Sequence, residues 1–576
     1  LGGEFSVSKE SQVFKTHDVT NQSQPLFDYN LYSTNVALQE AIDREGASWS
    51  HADLDIWGEH LGRADTYEHA ILANKYEPVL KLFDRFGYRK DEVDFHPSWH
   101  VIMAAAVAQG IHSSPWAEPK KGAHVARAAA VMMHCEIEAG SQCPLTMTYG
   151  AVPSISKRPD LADIWLPKIY SRKYDKRFLP VNQKTCALIG MGMTEKQGGS
   201  DVRTNTTKAT PTGKTEDPYV ILGHKFFFSA PMCDGFLVLA QAPQGLSCFF
   251  MPRWLPDGTL NAIRIQRLKE KIGNKSNASS EVEFYNAFGW LIGEPGRGVP
   301  TIIDMATYTR LDCGLGSTGL MRQVLSQALN HAKYRSAFGH KLIDHDLMRN
   351  VLADLALEVE AATALIMRVA RAFDNQHKES DSLFKRVITP AAKYWICKRA
   401  PNVGVEAMEV FGGTGYVEEG VIARAYREMP LNSIWEGSGN VMCLDVLRAF
   451  TKSPEALGVV REEWRSARGA NKNLDLFAGA LEQEINNKKA DERNARRLTE
   501  QLAVCISAAL LVKHAPTAVS DAFCQSRLNN DWGHSFGTLN EHADLSAIIE
   551  RAMPVARESK KAKDAPATPK PTAVTP

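Results

Sequence analysis

The sequence predicts an α+β fold, with helices kept to either side of a block of short strands. Three observations carry this. Residues from about Asn30 to Lys184 have helical apolar spacing; short β-rich runs separated by Gly, Pro and Asp clusters fill Thr185 to Gly293; helical spacing returns after Pro300. Helices and strands segregated along a chain pack as α+β rather than as alternating α/β units.

In the first segment, Asn35-Val-Ala-Leu-Gln-Glu-Ala-Ile42 and Ala123 to Glu138 carry helical apolar spacing, and Ser98 to Gly110 follows a Pro-started turn. The strands expected next are Tyr219–Leu222, Lys225–Ser229, Phe236–Leu239, Ser247–Met251 and Glu281–Phe284, forming a small antiparallel sheet. Beyond Pro300, Leu352, Leu355, Val359, Ala362, Ile366, Val369 and Phe373 make one helical stripe. Further helices are expected around Leu474–Glu484 and Leu498–Val512. Ser559–Pro576, with four Pro, four Lys and no aromatic residue, reads as a disordered tail. The expected domains are 17–184, an N-terminal helical domain; 185–295, a β domain; 296–450, a helical bundle; 451–556, an extra helical domain; and 557–576, the tail.

The chain has 576 residues, 67 Lys+Arg against 66 Asp+Glu, and 44% hydrophobic content. That length allows a large core, and the charge balance excludes a globally basic nucleic-acid binder and a polyanionic disordered chain. Ten scattered Cys without paired CxxC spacing point to a reducing, cytoplasmic compartment. The best apolar run, Val101–Ala108, is far short of the roughly 20 residues that span a bilayer, so no membrane partner is expected. No signal peptide or transit helix is evident, and Leu1-Gly-Gly-Glu-Phe5 reads as an appended remnant.

Several familiar motifs fail. Gly190-Met-Gly192 begins like a dinucleotide fingerprint, but Glu195 occupies the third Gly position and no parallel βαβ unit surrounds it. His96 and His100 are four apart, yet no acidic partner completes a zinc pattern, and no metal is expected. Neither a GxSxG elbow nor a P-loop is present.

Three segments stand out. Gly192-Met-Thr-Glu-Lys-Gln-Gly-Gly-Ser-Asp201 is a tight loop whose amides and hydroxyls suit an anion or a heteroaromatic edge, or an ordinary turn. Glu409-Val-Phe-Gly-Gly-Thr-Gly-Tyr416, continuing through Glu419, Arg424 and Glu428, allows close backbone approach to a ligand. In Ile434-Trp-Glu-Gly-Ser-Gly-Asn440, Glu436 is either a solvated loop residue or a carboxylate desolvated beside Trp435, with its pKa raised toward that of a useful base.

These three, in this order, resemble the acyl-CoA dehydrogenase family of flavoproteins. The first segment fits that family's first signature except at Thr204, and Glu409–Glu428 fits the second. Lys225-Phe-Phe-Phe-Ser229 resembles its Lys-x-Trp-Ile-Thr strand, and Arg335-Ser-Ala-Phe-Gly339 its Arg-x-x-Phe-Gly helix end. Met193–Asp201, Lys275–Ser279 with Asn277, and Asn432–Asn440 resemble the AidB-like branch of alkylation-response flavoproteins, whose members carry an extra C-terminal helical domain. The resemblance implies an N-terminal helical domain, an antiparallel β domain and a C-terminal four-helix bundle, followed by the extra domain.

It also implies FAD and a homotetramer in which neighbouring subunits complete each site. Met193 and Thr194 would face the isoalloxazine edge, with Gly199 in the same loop and Ser200 toward the pyrophosphate and substrate. Phe227 and Phe228 would replace the family's Trp-Ile, and Ser229 would replace the Thr that hydrogen-bonds flavin N5. Arg335 and Phe338 would reach the FAD of an adjacent subunit, Gly412 and Gly413 would give close backbone approach, and Trp435, Ser438 and Asn440 would line the cofactor's other side. Acting on an acyl-CoA thioester, Glu436 would remove the α-proton beside Arg310. In the isovaleryl branch the base instead precedes that Arg, where this chain has Thr309. Departures from the family are Phe-Phe-Ser for Trp-Ile-Thr, Lys196-Gln197 for Pro-Gly, and Trp435 for Tyr.

The AidB-like resemblance further implies double-stranded DNA binding by the C-terminal domain and protection of DNA from alkylation. From Thr451 to Pro576 there are 18 Lys+Arg against 16 Asp+Glu, a net of +2, so any such site is local. Lys489, Arg493, Arg496 and Arg497 would fall within about a third of a helix circumference, which suits either a DNA contact or a solvated charged helix. Arg448 and the tail residues Lys560, Lys561 and Lys563 are further candidates. Two functions follow: a DNA-binding, alkylation-protective flavoprotein with weak dehydrogenase activity, or a true acyl-CoA dehydrogenase with Glu436 as base and no DNA role.

Overall fold

The computed structural model describes residues 17–213, 218–487, 491–529, 531 and 534–554. Lys489 and the tail lie outside the described residues. The N-terminal domain contains α1 (Val36–Arg44), α2 (His51–Leu61), α3 (Ala64–Lys75), α4 (Pro97–Gln109), α5 (Ser114–Ala117), α6 (Ala123–Ile137), α7 (Gln142–Ile155) and α8 (Pro159–Ile169). Local chemistry sets their ends. The Asn35 side chain accepts from Leu38 N at the start of α1, and Pro97 opens α4, which Gly110 closes in the left-handed conformation.

The wholly helical reading of this domain is corrected by a hairpin, β1 (Val79–Phe83) with β2 (Arg89–Asp94), between α3 and α4. Alternate residues of Val79-Leu-Lys-Leu-Phe83 face solvent, which gives the period of a half-exposed strand rather than a helical stripe. His96 and His100 do not converge on a site: His96 accepts from Ser98 N, and His100 pairs with the Tyr174 hydroxyl at 2.9 Å.

The β domain has seven strands: β3 (Ile189–Gly192), β4 (Lys208–Pro211), β5 (Tyr219–Ser229), β6 (Gly235–Ala242), β7 (Gly245–Pro252), β8 (Ile263–Leu268) and β9 (Ser279–Ile292). The two segments expected at 219–222 and 225–229 are one continuous strand. The antiparallel reading needs a second correction, because β3 and β4 both run parallel to β6. With β5 paired to β3, β4 and β9, the pairings close into a circuit through β7 and β6. Gly190 and Gly192 are packing residues there, since a Cβ would come within 2.6 Å of Phe236 or Phe228.

The bundle is built from α9 (Gly298–Tyr334), α10 (Asp346–Asp374) and α11 (Glu379–Val410), with α12 (Val421–Asn432) and α13 (Gly439–Lys452). All seven residues of the stripe predicted on α10 are buried. The small hairpin β10 (Ser336–Ala337) and β11 (His340–Lys341) links α9 to α10.

The extra domain comprises α14 (Ala456–Arg465), α15 (Lys472–Asn487), α16 (Ala495–His514), α17 (Thr517–Leu528) and α18 (Leu545–Ala552). Buried ion pairs join it to the bundle: Arg527 on α17 lies 2.6 Å from Asp354 and 3.2 Å from Glu358 on α10. Arg551 meets Glu360 at 3.0 Å, and Arg368 meets both Asp381 and Glu463. The appended domain is therefore docked through charges that are costly to separate.

Candidate active site

The predicted residues divide between the β domain, which carries Met193 to Ser229, and the bundle, where Glu436 and Arg310 come together. Glu436 occupies the turn between α12 and α13 with φ +59°, and Gly437 follows at φ +109°. A non-glycine residue in the left-handed region costs roughly 1–3 kcal/mol and persists where its surroundings over-determine it. Two cations do so here. Arg310 Nε donates to the Glu436 carbonyl at 3.0 Å, and Lys393 Nζ donates to the Gly437 carbonyl at 2.8 Å. Asp445 fixes Arg310 at 2.8 Å and Arg386 at 2.9 Å.

Arg310, predicted beside the base as a catalytic group, thus acts on the backbone of Glu436 and is a positioning residue. Thr309 Oγ1 donates to the Glu436 carboxylate at 2.8 Å. Burial pushes the Glu436 pKa above the ordinary glutamate value, while Thr309, Arg310 and Lys393 draw it partly back. The residue as a whole keeps intermediate exposure, while its carboxyl group is buried. Trp435 Nε1 donates to Asn432 Oδ1 at 2.9 Å, which anchors the indole next to the base.

The facing wall comes from the β domain. Ser229 ends β5, paired with Met191 on one side and Ser279 on the other. The segment 274–279 leading into β9 is clamped from two domains: Glu138 accepts Ser276 Oγ at 2.7 Å, and Glu428 accepts Asn274 N at 2.8 Å. Buried Cys143, in the first turn of α7, lies close to Asn277, Ser229 and Glu436. Burial pushes its thiol up to about 12, so it stays protonated. Cys143 and Lys393 were missed from sequence. A single Cys and a helical Lys carry no local signal of a role that tertiary proximity alone creates.

The Met193–Asp201 loop is held by a fully buried pair, Glu195 Oε1 with Lys225 Nζ at 2.8 Å. Gln197 Nε2 donates to Glu195 Oε2 at 2.7 Å and to the Thr204 carbonyl at 3.1 Å, so the departure from Pro-Gly closes the loop by hydrogen bonds. A Cβ on Gly199 would sit 2.6 Å from Thr194 Oγ1, which makes glycine necessary for that approach. Met193 and Thr194 are half-buried, and Gly199 and Ser200 are exposed.

Along β5 the side chains alternate. Phe227 is 49% exposed on the outer face, whereas Phe228 is fully buried against Phe236 and Phe284. The prediction that Phe228 contacts the cofactor is therefore corrected: it is a core residue on the opposite face.

Gly412 and Gly413 form a turn between α11 and α12, with nothing within 4 Å of the position a Cβ would take. Phe338 is 95% exposed at the β10–β11 tip, and Arg335 is tied to the Asn21 carbonyl at 2.6 Å. Ser438 precedes α13, and Asn440 Oδ1 accepts from Arg496 Nε of the extra domain at 2.8 Å.

The basic stretch is not one helical face. Lys489 lies outside the described residues, Arg493 belongs to a 3-10 turn before α16, and Arg496 is turned toward Asn440. Asp491 explains the break, since its side chain accepts from Arg493 N and caps that separate turn. Arg448, Arg493 and Arg497 are exposed, the last 3.7 Å from Glu484.

These residues fit a flat, polar-edged heteroaromatic group with a phosphate tail. Thr194 and Ser229 offer hydroxyl donors, Phe227 an exposed ring and Gly412–Gly413 an open backbone surface. The buried oxygens Asn205 Oδ1 and Asn277 Oδ1 are left without a protein partner among the described residues. Fold and site together define an acyl-CoA dehydrogenase-type flavoprotein. Residues 21–176 match the adaptive response protein AidB N-terminal domain, 190–287 the acyl-CoA dehydrogenase middle domain, and 296–451 the acyl-CoA dehydrogenase C-terminal domain.

The chain is 47% identical over 523 residues, 90% of its length and 96% of the other, to the putative acyl-CoA dehydrogenase AidB of Escherichia coli. It is 28% identical over 87% of its length to acyl-CoA dehydrogenase family member 11 of Caenorhabditis elegans, covering 80% of that protein. The solved structure of Bd2924 in its apo form superposes with a TM-score of 0.79 at 28% identity, covering 86% of this chain and 100% of that one. The chain belongs to the AidB-like branch of the acyl-CoA dehydrogenase family, and FAD is its cofactor. Among the described residues no helix is long and apolar enough to cross a membrane.

Proposed function

We propose that the protein is an FAD-dependent oxidoreductase acting on the CH–CH bond of an acyl-CoA thioester, with Glu436 as the α-proton base. The observation that carries this reading is the desolvated Glu436 carboxylate, held on an over-determined turn, with Cys143 close to both it and Ser229. When bound, FAD supplies the acceptor for the hydride leaving the β-carbon. The chain's own part is proton removal and geometry. Glu436 takes the α-proton, and its raised pKa brings its basicity closer to that task. Thr309 and Arg310 keep the carboxylate oriented, and Trp435 narrows the access of water. Anaerobic mixing with thioesters of graded acyl length tests this: some member should bleach the flavin, and Glu436→Gln should abolish bleaching while retaining FAD. No bleaching by any of them would end the reading.

A second reading, double-stranded DNA binding with protection from alkylation, is favoured by the exposed Arg448 on α13 and the exposed Arg493 before α16. Neither has a carboxylate within ion-pair distance among the described residues. Arg497 lies close by on α16, only weakly engaged with Glu484. A tetramer would repeat this patch four times, which strengthens a weak electrostatic site additively. The exposure of Phe338 beside Arg335 supports that assembly, in which these residues would reach a neighbouring subunit's FAD. Duplex titration at two salt concentrations, with light scattering for subunit number, tests both parts. Absent binding at low salt would refute the DNA reading.

A further inference from the structure

Lys271, between β8 and β9, is a half-buried cation, and among the described residues no carboxylate lies within ion-pair distance of its ammonium. The charged and titratable groups facing it are the Cys143 thiol from α7, Glu428 from α12 and Glu77 beyond α3, all at longer range. Its neighbours Lys269 and Lys275 are already engaged, with Glu281 and Glu77. Enclosing an uncompensated ammonium is costly, so its hydrogen bonds must account for its place. Nζ donates to the Asn277 carbonyl and, at 3.1 Å, to Ser279 Oγ. Ser279 Oγ lies 3.5 Å from Ser229 Oγ across the β5–β9 pair.

We propose that Lys271 is a positioning residue that sets the direction of the Ser229 hydroxyl proton through Ser279. This rests on the placing of Ser229 against the flavin. An ammonium can only donate, whereas a hydroxyl both donates and accepts. With Lys271 charged, Ser279 accepts from it and turns its own proton to Ser229 Oγ, so Ser229 donates away from Ser279, toward where the flavin would sit. A neutral Lys271 gains a lone pair, so Ser279 is free to donate back to the amine, and Ser229 then donates to Ser279 instead. No proton crosses the chain; two hydroxyls rotate. Burial lowers the Lys271 pKa to about 8, which brings the reversal into an accessible pH range.

The test uses the FAD-loaded full chain and needs no turnover. The visible flavin spectrum, and the oxidised-to-reduced ratio against a reference dye, are followed from pH 6 to 10. The wild type should show a transition near pH 8 worth about fivefold in that ratio, equivalent to one ordinary hydrogen bond. Lys271→Met and Ser279→Ala should each abolish it, and Lys271→Arg should lock the low-pH form, because a guanidinium does not titrate there. Ser279→Ala keeps the Asn277 contact, so it isolates the relay should Lys271→Met lose FAD. A wild-type transition surviving in Ser279→Ala would overturn the relay. If Ser229→Ala changes the spectrum but the Lys271 and Ser279 variants do not, the relay fails while the site stands. If Ser229→Ala changes nothing at any pH, both fail.

Discussion

Thr309 Oγ1 lies 2.8 Å from Glu436 Oε2 and 3.0 Å from the Ala306 carbonyl, so one hydroxyl proton serves two acceptors. With Glu436 ionised, that proton is drawn to the carboxylate; with Glu436 neutral, the carboxyl can donate to Thr309, which then bonds Ala306. The position before Arg310, where the isovaleryl branch carries its base, holds here the residue that steadies the base from α13's side. Thr309→Val keeps the shape and removes the donor. Glu436 is already raised by burial, so losing a donor to its charged form raises it further. The ascending, acid-side limb of the pH–rate profile for flavin bleaching should move up by about 0.5–1 unit, from a hydrogen bond worth about 1 kcal/mol. Thr309→Ser should restore it. A limb that stays put or moves down would show that the contact does not bear on the base.

Gly437→Ala addresses the turn itself. The added methyl meets Met442 Cε at 2.4 Å and sits at φ +109°, a conformation L side chains rarely adopt. Bleaching should fall at least tenfold, the rate equivalent of about 1.4 kcal/mol, with FAD content unchanged. Loss of FAD with normal chemistry in the remaining holoenzyme would contradict this placing.

The extra domain should depend on Arg527, whose guanidinium is the ion-pair partner of buried Asp354 and shares Glu358 with Arg399. Arg527→Met should lower stability by about 3–5 kcal/mol and separate an early transition in calorimetry. An unchanged single transition would mean that apolar packing alone docks the domain.

For DNA, Arg448, Arg493 and Arg497 changed together to Gln should reduce the slope of log affinity against log salt by about 2–3, from roughly 0.9 per phosphate contact. Arg496→Gln should matter less, because its guanidinium is engaged by Asn440. Equal effects of the two would relocate the contact surface.

Much of this was legible in the sequence because it is local. The α10 stripe, the helical spacing after Asn35 and the glycine-rich signatures are set by residues near each other in the chain. What escaped depends on tertiary pairing. The parallel course of β3 and β4 beside β6, the half-exposed hairpin at 79–94 and the separate 3-10 turn at Arg493 leave only weak periodic signals. Phe228 was misplaced because a motif match treats neighbours alike, while a strand sends alternate side chains to opposite faces. Cys143 and Lys393 enter the site from other helices, and no spacing announces them.

Anaerobic titration of the FAD-loaded protein with an acyl-CoA series decides whether Glu436 is the working base of a flavin-dependent site. At least one thioester should bleach the wild type, and none should bleach Glu436→Gln at equal FAD content. Bleaching that persists undiminished in Glu436→Gln would contradict that role.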